Sequence, residues 1–325
     1  MSVTIWTNHE LRPEARELLL AGLAEGGTRL VQSAGSSRSV LTASNSDPAL
    51  AEADIAYGQP DPDDLARHPR IKWVALSTAG YTRYDRDDFR AAMKARGTVV
   101  TNASAVFANP CAEHVLAQML ALCRNLPLQL RNQDGARGWT YQEDRYTSKS
   151  LTGQNVLLLG FGAIGRRLAE FLAPFGGRVI AYRRVPRGDE GIEIVTDAGL
   201  PAALAAADQV VNLLPDSPAT RGFMGAARFG GMKRGARFYN VGRGTTVDQS
   251  ALIAALESGQ VGAAYLDVME PEPLPPEHPL WRAPHCFITC HIAGGTRDQD
   301  EKLVRHLLEN LRRFHAGEQL QDRII

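Results

Sequence analysis

The chain has 325 residues, which is enough for two domains of ordinary size, each with its own core. Lys plus Arg and Asp plus Glu both number 36, so no global field would attract nucleic acid or an acidic membrane surface. Charge therefore argues against a nucleic-acid or membrane partner, and we expect the partner to be a small molecule.

The four cysteines lack the paired CxxC spacing of a zinc site. Cys286 and Cys290 lie beside His285 and His291, but strand alternation would direct the cysteines to one face and the histidines to the other. We therefore predict no metal. The sequence has no apolar run of 18 residues, and its start, MSVTIWTNHE, resembles neither a basic leader nor a signal core. These features predict a soluble, cytoplasmic protein with reduced thiols.

Residues 1–101 alternate short apolar runs with segments of helical periodicity. A polar stretch at 35–48 predicts a mobile loop. The alternation is typical of a parallel sheet with helices on both faces. The predicted strands are 3–6, 29–32, 54–58, 71–78 and 97–102.

A long helix is predicted to begin near Pro110, which suits a first helical turn, and to end before Pro127. The polar residues 130–150 indicate an excursion. A second alternation starts at Asn155, and six strands at this spacing predict a complete doubly wound dinucleotide domain. The amphipathic segment 297–317 could pack back on the first domain. The six strands are 156–160, 178–182, 209–214, 236–241, 262–268 and 286–290.

The stretch 156-VLLLGFGAIG-165 carries three glycines between an apolar strand and a predicted helix. Glycines at this spacing permit a tight turn, close approach of the backbone to a pyrophosphate, and close packing of helix on strand. The alternative is an ordinary glycine-rich turn. The predicted dinucleotide contacts here are Gly160, Phe161, Gly162, Ala163, Ile164 and Gly165.

Arg183 stands at the tip of the second strand, where a dinucleotide domain usually has an acid that binds the ribose hydroxyls. With Arg184 and Arg187 it offers planar cations suited to a 2′-phosphate. One such contact, worth about 1.5–3 kcal/mol, would favour NADP(H) by about 10- to 150-fold, with NAD(H) still possible. The alternative is that these arginines are solvated and NAD binds without an acidic anchor.

Three later segments place polar groups at the carboxyl ends of strands: 239-YNVGRGTTVD-248, 265-YLDVMEPEPLPPEHPLW-281 and 288-ITCHIAGGT-296. With 213-LLPDSPATRGFMG-225, they make nearly the whole chain resemble the D-isomer-specific 2-hydroxyacid dehydrogenases. The resemblance implies an α/β fold with two doubly wound parallel-sheet domains. One would be a flavodoxin-like substrate domain and the other a Rossmann dinucleotide-binding domain.

The implied substrate domain is discontinuous and comprises residues 1–101 and 293–325. The implied dinucleotide-binding domain comprises residues 102–292, and its helix and excursion at 110–150 are where this family builds a two-fold dimer. Asn102 resembles the family's hinge between domains. Trp139 and Tyr141 either reach the neighbouring subunit's active site, as in related reductases, or only pack.

The resemblance assigns catalysis to Arg243, Glu272 and His291. Physical chemistry supports each role. A 2-oxo acid requires a bidentate cation for its carboxylate and ketone oxygens, and Arg243 provides one. The developing alkoxide requires a proton donor, and His291 can supply it. A carboxylate beside an imidazole favours the imidazolium and fixes its proton, which suits Glu272, whereas Glu270 is the competing acid.

Further contacts follow from the resemblance. Asp267 would contact the nicotinamide carboxamide, although it could instead only cap a strand end. His114 is predicted to face a helix–helix contact. Other implied dinucleotide contacts are Leu214, Pro215, Thr220, Val241, Gly242 and His291. The turn after a buried strand could bind the substrate carboxylate through its N–H groups, or it could be an ordinary turn; its residues are Thr78, Ala79, Gly80 and Tyr81.

Together these features predict a cytoplasmic, homodimeric, NADPH-preferring reductase of small 2-oxo acids such as glyoxylate or hydroxypyruvate. The alternative is a dinucleotide-sensing, corepressor-like binding protein without significant turnover. Formate oxidation is disfavoured because Glu272 stands where a formate-oxidising relative has an amide. The sequence leaves open which 2-oxo or 2-hydroxy acid is used, the physiological direction and the strictness of the NADP preference.

Overall fold

The computed structural model describes residues 3–24, 26–37 and 46–325. The chain divides into two compact units: unit 1 comprises Met1–Phe107 and Gly295–Ile325, and unit 2 comprises Ala108–Gly294. Each unit contains one parallel sheet with helices. The predicted α/β class with two doubly wound parallel sheets is therefore confirmed, whereas the domain boundaries drawn from the sequence remain a prediction.

Unit 1 has a five-stranded parallel sheet in the order β2-β1-β3-β4-β5, which is the flavodoxin-like order. Of the predicted mobile loop at 35–48, residues 35–37 belong to β2, and residues 38–45 lie outside the described residues. The strands are β1 (Thr4–His9), β2 (Arg29–Ser37), β3 (Ile55–Gly58), β4 (Trp73–Leu76) and β5 (Val99–Thr101). The helices are α1 (Pro13–Ala24), α2 (Pro62–Arg67), α3 (Asp87–Ala95) and, near the carboxyl end, α11 (Gln299–Ala316).

Successive strand residues of unit 1 point to opposite faces of the sheet, and each face builds its own core. Ile5 of β1 packs in a cluster with Leu19 of α1 and Leu307 of α11. The next residue, Trp6, packs in a second cluster with Phe89 of α3. The segment predicted as an amphipathic tail therefore covers one face of this sheet.

Helix α4 (Ser104–Cys123) contains Pro110 in its interior, so the predicted start near Pro110 is wrong. The first turn is set by two hydrogen bonds: Ser104 N–H donates to Asn102 Oδ1 at 3.2 Å, and Ala105 N–H donates to Asp322 Oδ2 at 2.8 Å. Capping side chains satisfy amides that a helix end otherwise leaves unpaired. Because these two bonds place the start of the helix at Ser104, Pro110 falls inside it, where it removes one intrahelical bond.

Unit 2 has a seven-stranded parallel sheet in the order β12-β11-β10-β9-β6-β7-β8. The six predicted strands are present, but the sequence missed the three-residue edge strand β8, which is too short to show alternation. The strands are β6 (Val156–Leu159), β7 (Val179–Tyr182), β8 (Glu193–Val195), β9 (Gln209–Asn212), β10 (Ala236–Asn240), β11 (Val261–Leu266) and β12 (Cys286–Ile288). The helices are α5 (Leu126–Asp134), α6 (Tyr141–Arg145), α7 (Ala163–Leu172), α8 (Leu200–Ala206), α9 (Ala226–Gly230) and α10 (Gln249–Glu257).

The core of unit 2 joins its strands to the helices beside them, for example Leu157 and Phe238 with Leu204 of α8 and Leu252 of α10. The predicted polar excursion at 130–150 includes the end of α5 and all of α6, and neither helix buries a residue. Within residues 3–24, 26–37 and 46–325, no helix combines the length and apolar character needed to cross a membrane.

Candidate functional site

The glycine loop leads from β6 into α7. Gly160 has a φ of +103°, and a Cβ atom there would lie 3.2 Å from the Leu213 carbonyl oxygen. A Cβ atom on Gly165 would lie 2.9 Å from the Gly160 carbonyl oxygen. Around Gly162, by contrast, no described atom lies within 4 Å of a Cβ position. The backbone is thus tight where strand meets helix and open at the start of α7, as a bound pyrophosphate requires.

The ends of β9 and β10 form a second backbone edge beside this loop. A Cβ atom on Gly242 would lie 2.7 Å from the Leu214 carbonyl oxygen, so only glycine fits there. Leu214 and Val241 are buried, and the Thr220 hydroxyl donates to the Pro215 carbonyl at 2.6 Å. These segments follow adjacent strands at the carboxyl edge of the sheet, where open α/β folds bind ligands. The residues present fit a nicotinamide dinucleotide.

Arg183 and Arg184 follow the last residue of β7. Arg184 is exposed, whereas Arg183 is partly buried and donates from Nη1 to Glu190 Oε1 at 3.1 Å. Both arginines therefore directly follow β7. Arg183 also forms an ion pair with Glu190, which was not predicted from the sequence.

Arg243 follows β10 and precedes a short 3-10 turn at Gly244–Thr246. Its main-chain carbonyl accepts from the Thr246 hydroxyl at 2.6 Å, and its Nη1 donates to the Gly242 carbonyl at 2.6 Å. Burial lowers the pKa of the Arg243 guanidinium from its ordinary value, although the nearby Glu272 carboxylate acts in the opposite direction. Arginine remains charged in such a setting.

Two buried asparagines hold the Arg243 segment. Asn212 Nδ2 donates to Asn240 Oδ1 at 2.9 Å and to the Thr246 hydroxyl at 2.6 Å. Asn240 Oδ1 also accepts from the Gly242 N–H at 3.1 Å, and Asn240 Nδ2 donates to the Arg243 carbonyl at 3.2 Å. Because these amides bond to the backbone on both sides of Arg243, they fix the point from which its side chain starts.

The segment carrying Arg243 packs directly against the segment carrying Glu272. A Cβ atom on Gly244 would lie 1.9 Å from the Met269 carbonyl oxygen. The Met269 N–H in turn donates to Glu272 Oε1 at 2.9 Å. Glycine at 244 therefore lets two backbone segments with predicted catalytic residues touch.

Glu272 and His291 form a pair, with His291 Nδ1 lying 2.8 Å from Glu272 Oε2. About a third of each side chain is exposed, 31% in both cases. Burial raises the pKa of the Glu272 carboxyl, but the hydrogen bonds from His291 and Met269 outweigh it, so the pKa is lowered from 4.5. Glu270, the competing acid, is exposed, and its backbone bonds to the Gln249 side chain. The structure brings Glu272, rather than Glu270, to His291.

Asp267 supports the loop that carries His291. Its carboxylate, 1% exposed, accepts from the N–H groups of Ile292 at 2.9 Å and Ala293 at 3.0 Å, and from the Thr289 hydroxyl at 2.5 Å. Its carbonyl accepts from the His291 N–H at 2.8 Å, and His291 has a φ of +55°. These are the contacts of a strand-end cap, and a role toward the nicotinamide carboxamide remains a prediction.

His114 contacts a strand, which corrects the expected helix–helix contact. Its Nε2 lies 2.8 Å from the Tyr265 hydroxyl of β11, which in turn lies 2.5 Å from the Thr289 hydroxyl. Burial lowers the pKa of His114, with Asp267 acting in the opposite direction. Helical periodicity shows which face of a helix is buried but not which element covers that face.

The predicted substrate turn lies in unit 1 and is held by side chains of that unit. Gln59 Nε2 donates to the Thr78 hydroxyl at 3.1 Å, and this hydroxyl donates to the Gly80 carbonyl at 2.7 Å. Asn102 Nδ2 donates to the Ala79 carbonyl at 2.7 Å. Tyr81 leads into a 3-10 turn. The turn is well ordered by hydrogen bonds, and its predicted role with a carboxylate is kept as a proposal.

Trp139 and Tyr141 lie in the excursion of unit 2, where Trp139 is 93% exposed and Tyr141 is also exposed. Cys286 is buried and Cys290 is exposed. In the part of the chain that the structure describes, no group of three or more His, Cys, Asp or Glu side chains could hold a metal ion.

A family model matches residues 116–293, and its description is D-isomer specific 2-hydroxyacid dehydrogenase, NAD binding domain. The matched range includes the glycine loop, Arg243, Glu272 and His291. The chain belongs to this family. The resemblance first drawn from the three carboxyl-terminal segments is thereby confirmed.

Individual family members are similar to the chain at about a third identity. Glyoxylate reductase/hydroxypyruvate reductase from Homo sapiens is 36% identical over 229 residues, covering 70% of this chain and 68% of the relative. D-3-phosphoglycerate dehydrogenase from Mycobacterium bovis is 31% identical over 268 residues, covering 81% of this chain; the chain spans about half of that relative, 49%. A solved family member from Xanthobacter autotrophicus Py2, in complex with NADPH and MES, is 30% identical with a TM-score of 0.82, covering 100% of this chain and 98% of that chain.

Several residues that hold the predicted site residues in place were not predicted from the sequence. Asn212 follows two valines in a strand whose four residues are all buried, so its burial could have been expected, although its partners could not. Gln59 and Glu190 lie in polar loops with no local pattern that separates them from solvated residues. Only the structure shows their contacts: Gln59 bonds to the Thr78 side chain, and Glu190 bonds to Arg183 at the start of its own loop.

Proposed function

We propose that this protein is an NADPH-preferring reductase of small 2-oxo acids such as glyoxylate or hydroxypyruvate. The observation that carries the proposal is the 2.8 Å contact between His291 Nδ1 and Glu272 Oε2, in the same unit as Arg243 and the glycine loop. A carboxylate on one imidazole nitrogen leaves the other to exchange a proton with substrate. In the described part of the chain, His291 Nε2 has no hydrogen-bond partner.

In the proposed reaction, Arg243 binds the substrate carboxylate and ketone oxygen through its planar N–H groups. The bound nicotinamide dinucleotide supplies the hydride. As the carbonyl carbon becomes tetrahedral, the developing alkoxide takes a proton from His291 Nε2, and Glu272 stabilises the imidazolium until that transfer. The product is a 2-hydroxy acid, and His291 is left neutral. In the opposite direction, neutral His291 takes the hydroxyl proton.

The preference for NADPH rests on the charge at the end of β7. Arg183 and Arg184 replace the acid that usually binds ribose hydroxyls, and a guanidinium attracts a 2′-phosphate. The relative from Xanthobacter autotrophicus was solved with NADPH, which supports the same preference here. The substrate class is supported by the human relative, whose name is glyoxylate reductase/hydroxypyruvate reductase.

We also propose that the protein works as a cytoplasmic homodimer. Unit 2 exposes a group of large apolar side chains within a short range, and concentrated exposure of this kind is typical of an interface. The group comprises Leu126, Leu130, Trp139, Tyr141 and Tyr146. We refer to it as the excursion surface.

The test is a panel of 2-oxo acids assayed with NADPH and NADH in parallel. The proposal expects turnover of about 1–10³ per second on at least one small acid, with higher kcat/KM for NADPH. Turnover well below about 1 per second on every acid would contradict the proposal and favour a dinucleotide-sensing binding protein. Equal or better efficiency with NADH would contradict the NADPH preference alone.

A further inference from the structure

Residues 183–190, here called the arginine loop, follow β7 and make up most of the connection to the edge strand β8. Most of the loop is exposed, but its last residue, Glu190, is only 8% exposed. The Glu190 carboxylate accepts from the N–H groups of Arg187 at 2.7 Å and Gly188 at 2.8 Å. It also accepts from Arg183 Nη1 at 3.1 Å. Glu190 at the end of the loop is thus hydrogen-bonded both to its first residue, Arg183, and to its middle, at Arg187 and Gly188.

The Glu190 contact uses only a small part of the Arg183 guanidinium. A guanidinium has five N–H donors in one plane, and among the described residues Glu190 is the only hydrogen-bond partner of this side chain. Arg183 is 16% exposed, so its charge is partly desolvated rather than free in solvent. A carboxylate on one edge of the fork fixes its plane and leaves the other donors for an anion.

The loop has a second attachment, to the helix that begins at the glycine loop. Arg166 of α7 donates to the Asp189 side chain at 3.0 Å and to the Asp189 carbonyl at 3.2 Å. The same guanidinium lies over the Phe161 ring, 5.2 Å from its centroid. Because Phe161 belongs to the glycine loop, the arginine loop is connected to the backbone that is expected to hold the pyrophosphate.

Glu190 is ionised at neutral pH. The N–H of Arg187 contributes most to the lowered pKa of its carboxyl, and Gly188 and Arg183 add to this effect against burial. The charge of Arg183 and the dipoles of the two backbone N–H groups offset part of the repulsion that this anion would exert on a phosphate. Removing Glu190 would leave Arg183 free to take many rotamers, and ordering them again would weaken anion binding.

We propose that Glu190 is a positioning residue for dinucleotide selectivity, which holds Arg183 in the orientation that binds a 2′-phosphate. This inference rests on the NADPH preference proposed above. It identifies a residue that lies outside the predicted dinucleotide contacts. This residue is an acid, so its charge is opposite to that of Arg183, which would bind the 2′-phosphate.

The test compares the binding of 2′,5′-ADP and 5′-AMP to the full chain by isothermal titration calorimetry at fixed ionic strength. The two probes differ only in the 2′-phosphate, so the ratio of their Kd values measures that phosphate without turnover. The expected result is a wild-type preference for 2′,5′-ADP of at least about 10-fold. Glu190→Gln should reduce it about 5- to 20-fold, with less effect on 5′-AMP.

Two comparisons make the test specific. Glu193→Gln, the same change at an exposed acid of β8 that pairs with Arg178, should leave the ratio unchanged. If Glu190 acts through Arg183, Glu190→Gln should change the ratio little in an Arg183→Gln background, because the two effects are then not additive. Circular dichroism checks that each variant folds. If Glu190→Gln does not fold, Glu190→Asp is measured in its place, because it keeps the charge but shortens the side chain.

The outcomes separate the two proposals. A wild-type ratio near one would overturn the NADPH preference and this inference with it. A clear wild-type preference that Glu190→Gln leaves unchanged or increases would overturn the role of Glu190 alone. Equal effects of Glu190→Gln with and without Arg183 would also overturn it, since the acid would then act independently of that side chain.

Discussion

His291 and Glu272 meet through Nδ1 and Oε2 at 2.8 Å, while the second carboxylate oxygen of Glu272 is held by the Met269 N–H. One oxygen therefore fixes the acid to the backbone and the other orients the imidazole. With Nδ1 occupied, proton exchange with a substrate must use Nε2.

Replacing His291 by Gln should lower kcat by about 10²- to 10⁴-fold, because an amide cannot supply the proton that the alkoxide needs. Binding of 2′,5′-ADP, measured by calorimetry, should stay within about twofold of wild type. His315→Gln, at an exposed position of α11, is the matched control and should keep full activity. Undiminished turnover in His291→Gln would refute the assigned role.

Replacing Glu272 by Gln should slow reduction. The amide can still orient the ring, but it carries no charge to balance a protonated imidazole, so kcat should fall by about 10-fold. The pKa of Glu272 is lowered from 4.5, so in wild type the carboxylate stays ionised above about pH 4.5 and is lost only below it. The advantage of wild type should therefore persist between pH 5 and 9, which activity profiles check, with the exposed Glu277→Gln as the control. Equal kcat in wild type and Glu272→Gln would argue that Glu272 only orients the ring.

Replacing Asp267 by Asn should loosen the His291 loop. The amide keeps one acceptor oxygen but turns an NH₂ group toward N–H donors, which should cost about 1–3 kcal/mol in the free energy of unfolding. We expect kcat to fall as well, because the Asp267 carboxylate accepts from the N–H groups of Ile292 and Ala293, which directly follow His291. Urea unfolding and kinetics measure both effects. Thr289→Val, which removes only one of the bonds to this carboxylate, should cost less. Normal stability with a raised KM for the dinucleotide would instead support the carboxamide contact.

Replacing Gly244 by Ala should disrupt the contact between the Arg243 and Glu272 segments. The added Cβ atom would lie 1.9 Å from the Met269 carbonyl oxygen, so the backbone must move. We expect a loss of more than about 3 kcal/mol in the free energy of unfolding, or failure to fold. Gly230→Ala, where no described atom lies within 4 Å of the Cβ position, should change stability by less than about 1 kcal/mol. Equal effects at both positions would contradict the packing argument.

Replacing Leu130 by Ser should weaken the proposed dimer. Leu130 belongs to the excursion surface, and burying such a side chain contributes about 1.5–3 kcal/mol to association. Light scattering after size exclusion should find wild type as a dimer and the variant partly monomeric at micromolar concentration. Leu20→Ser, at an exposed leucine of α1, is the matched control. A wild-type protein that runs as a monomer would remove the dimer proposal.

Much of the fold could be predicted because strands and helices leave periodic patterns. The runs at 156–160 and 236–241 were apolar enough to predict, and both are strands. The edge strand Glu193–Val195 was missed because three residues with an acid at one end show no alternation. The start of α4 was misplaced because Pro110 is a local signal, whereas the caps come from Asn102 and the distant Asp322.

The residues of the candidate site also include some that could be predicted from the sequence and some that could not. Arg243, Glu272 and His291 could be named because each follows a predicted strand within a segment that resembles the corresponding segment of the family. Apart from Asp267, for which the sequence offered a strand-end cap as an alternative, the residues that hold them could not be named, because many of their hydrogen bonds connect segments far apart in sequence. Asn212 and Asn240, for instance, are joined by a side-chain hydrogen bond between the neighbouring strands β9 and β10. The sequence of one strand does not show which strand lies beside it, so this bond could not be predicted.

All three predicted catalytic side chains belong to unit 2, whereas the turn at 78–81 belongs to unit 1. If the turn binds the substrate carboxylate, as the sequence predicts, then one part of substrate recognition is encoded in a stretch of the gene separate from the residues that carry out the chemistry. Random mutagenesis restricted to codons 78–81 would then alter acid binding while each variant keeps an intact proton-transfer pair.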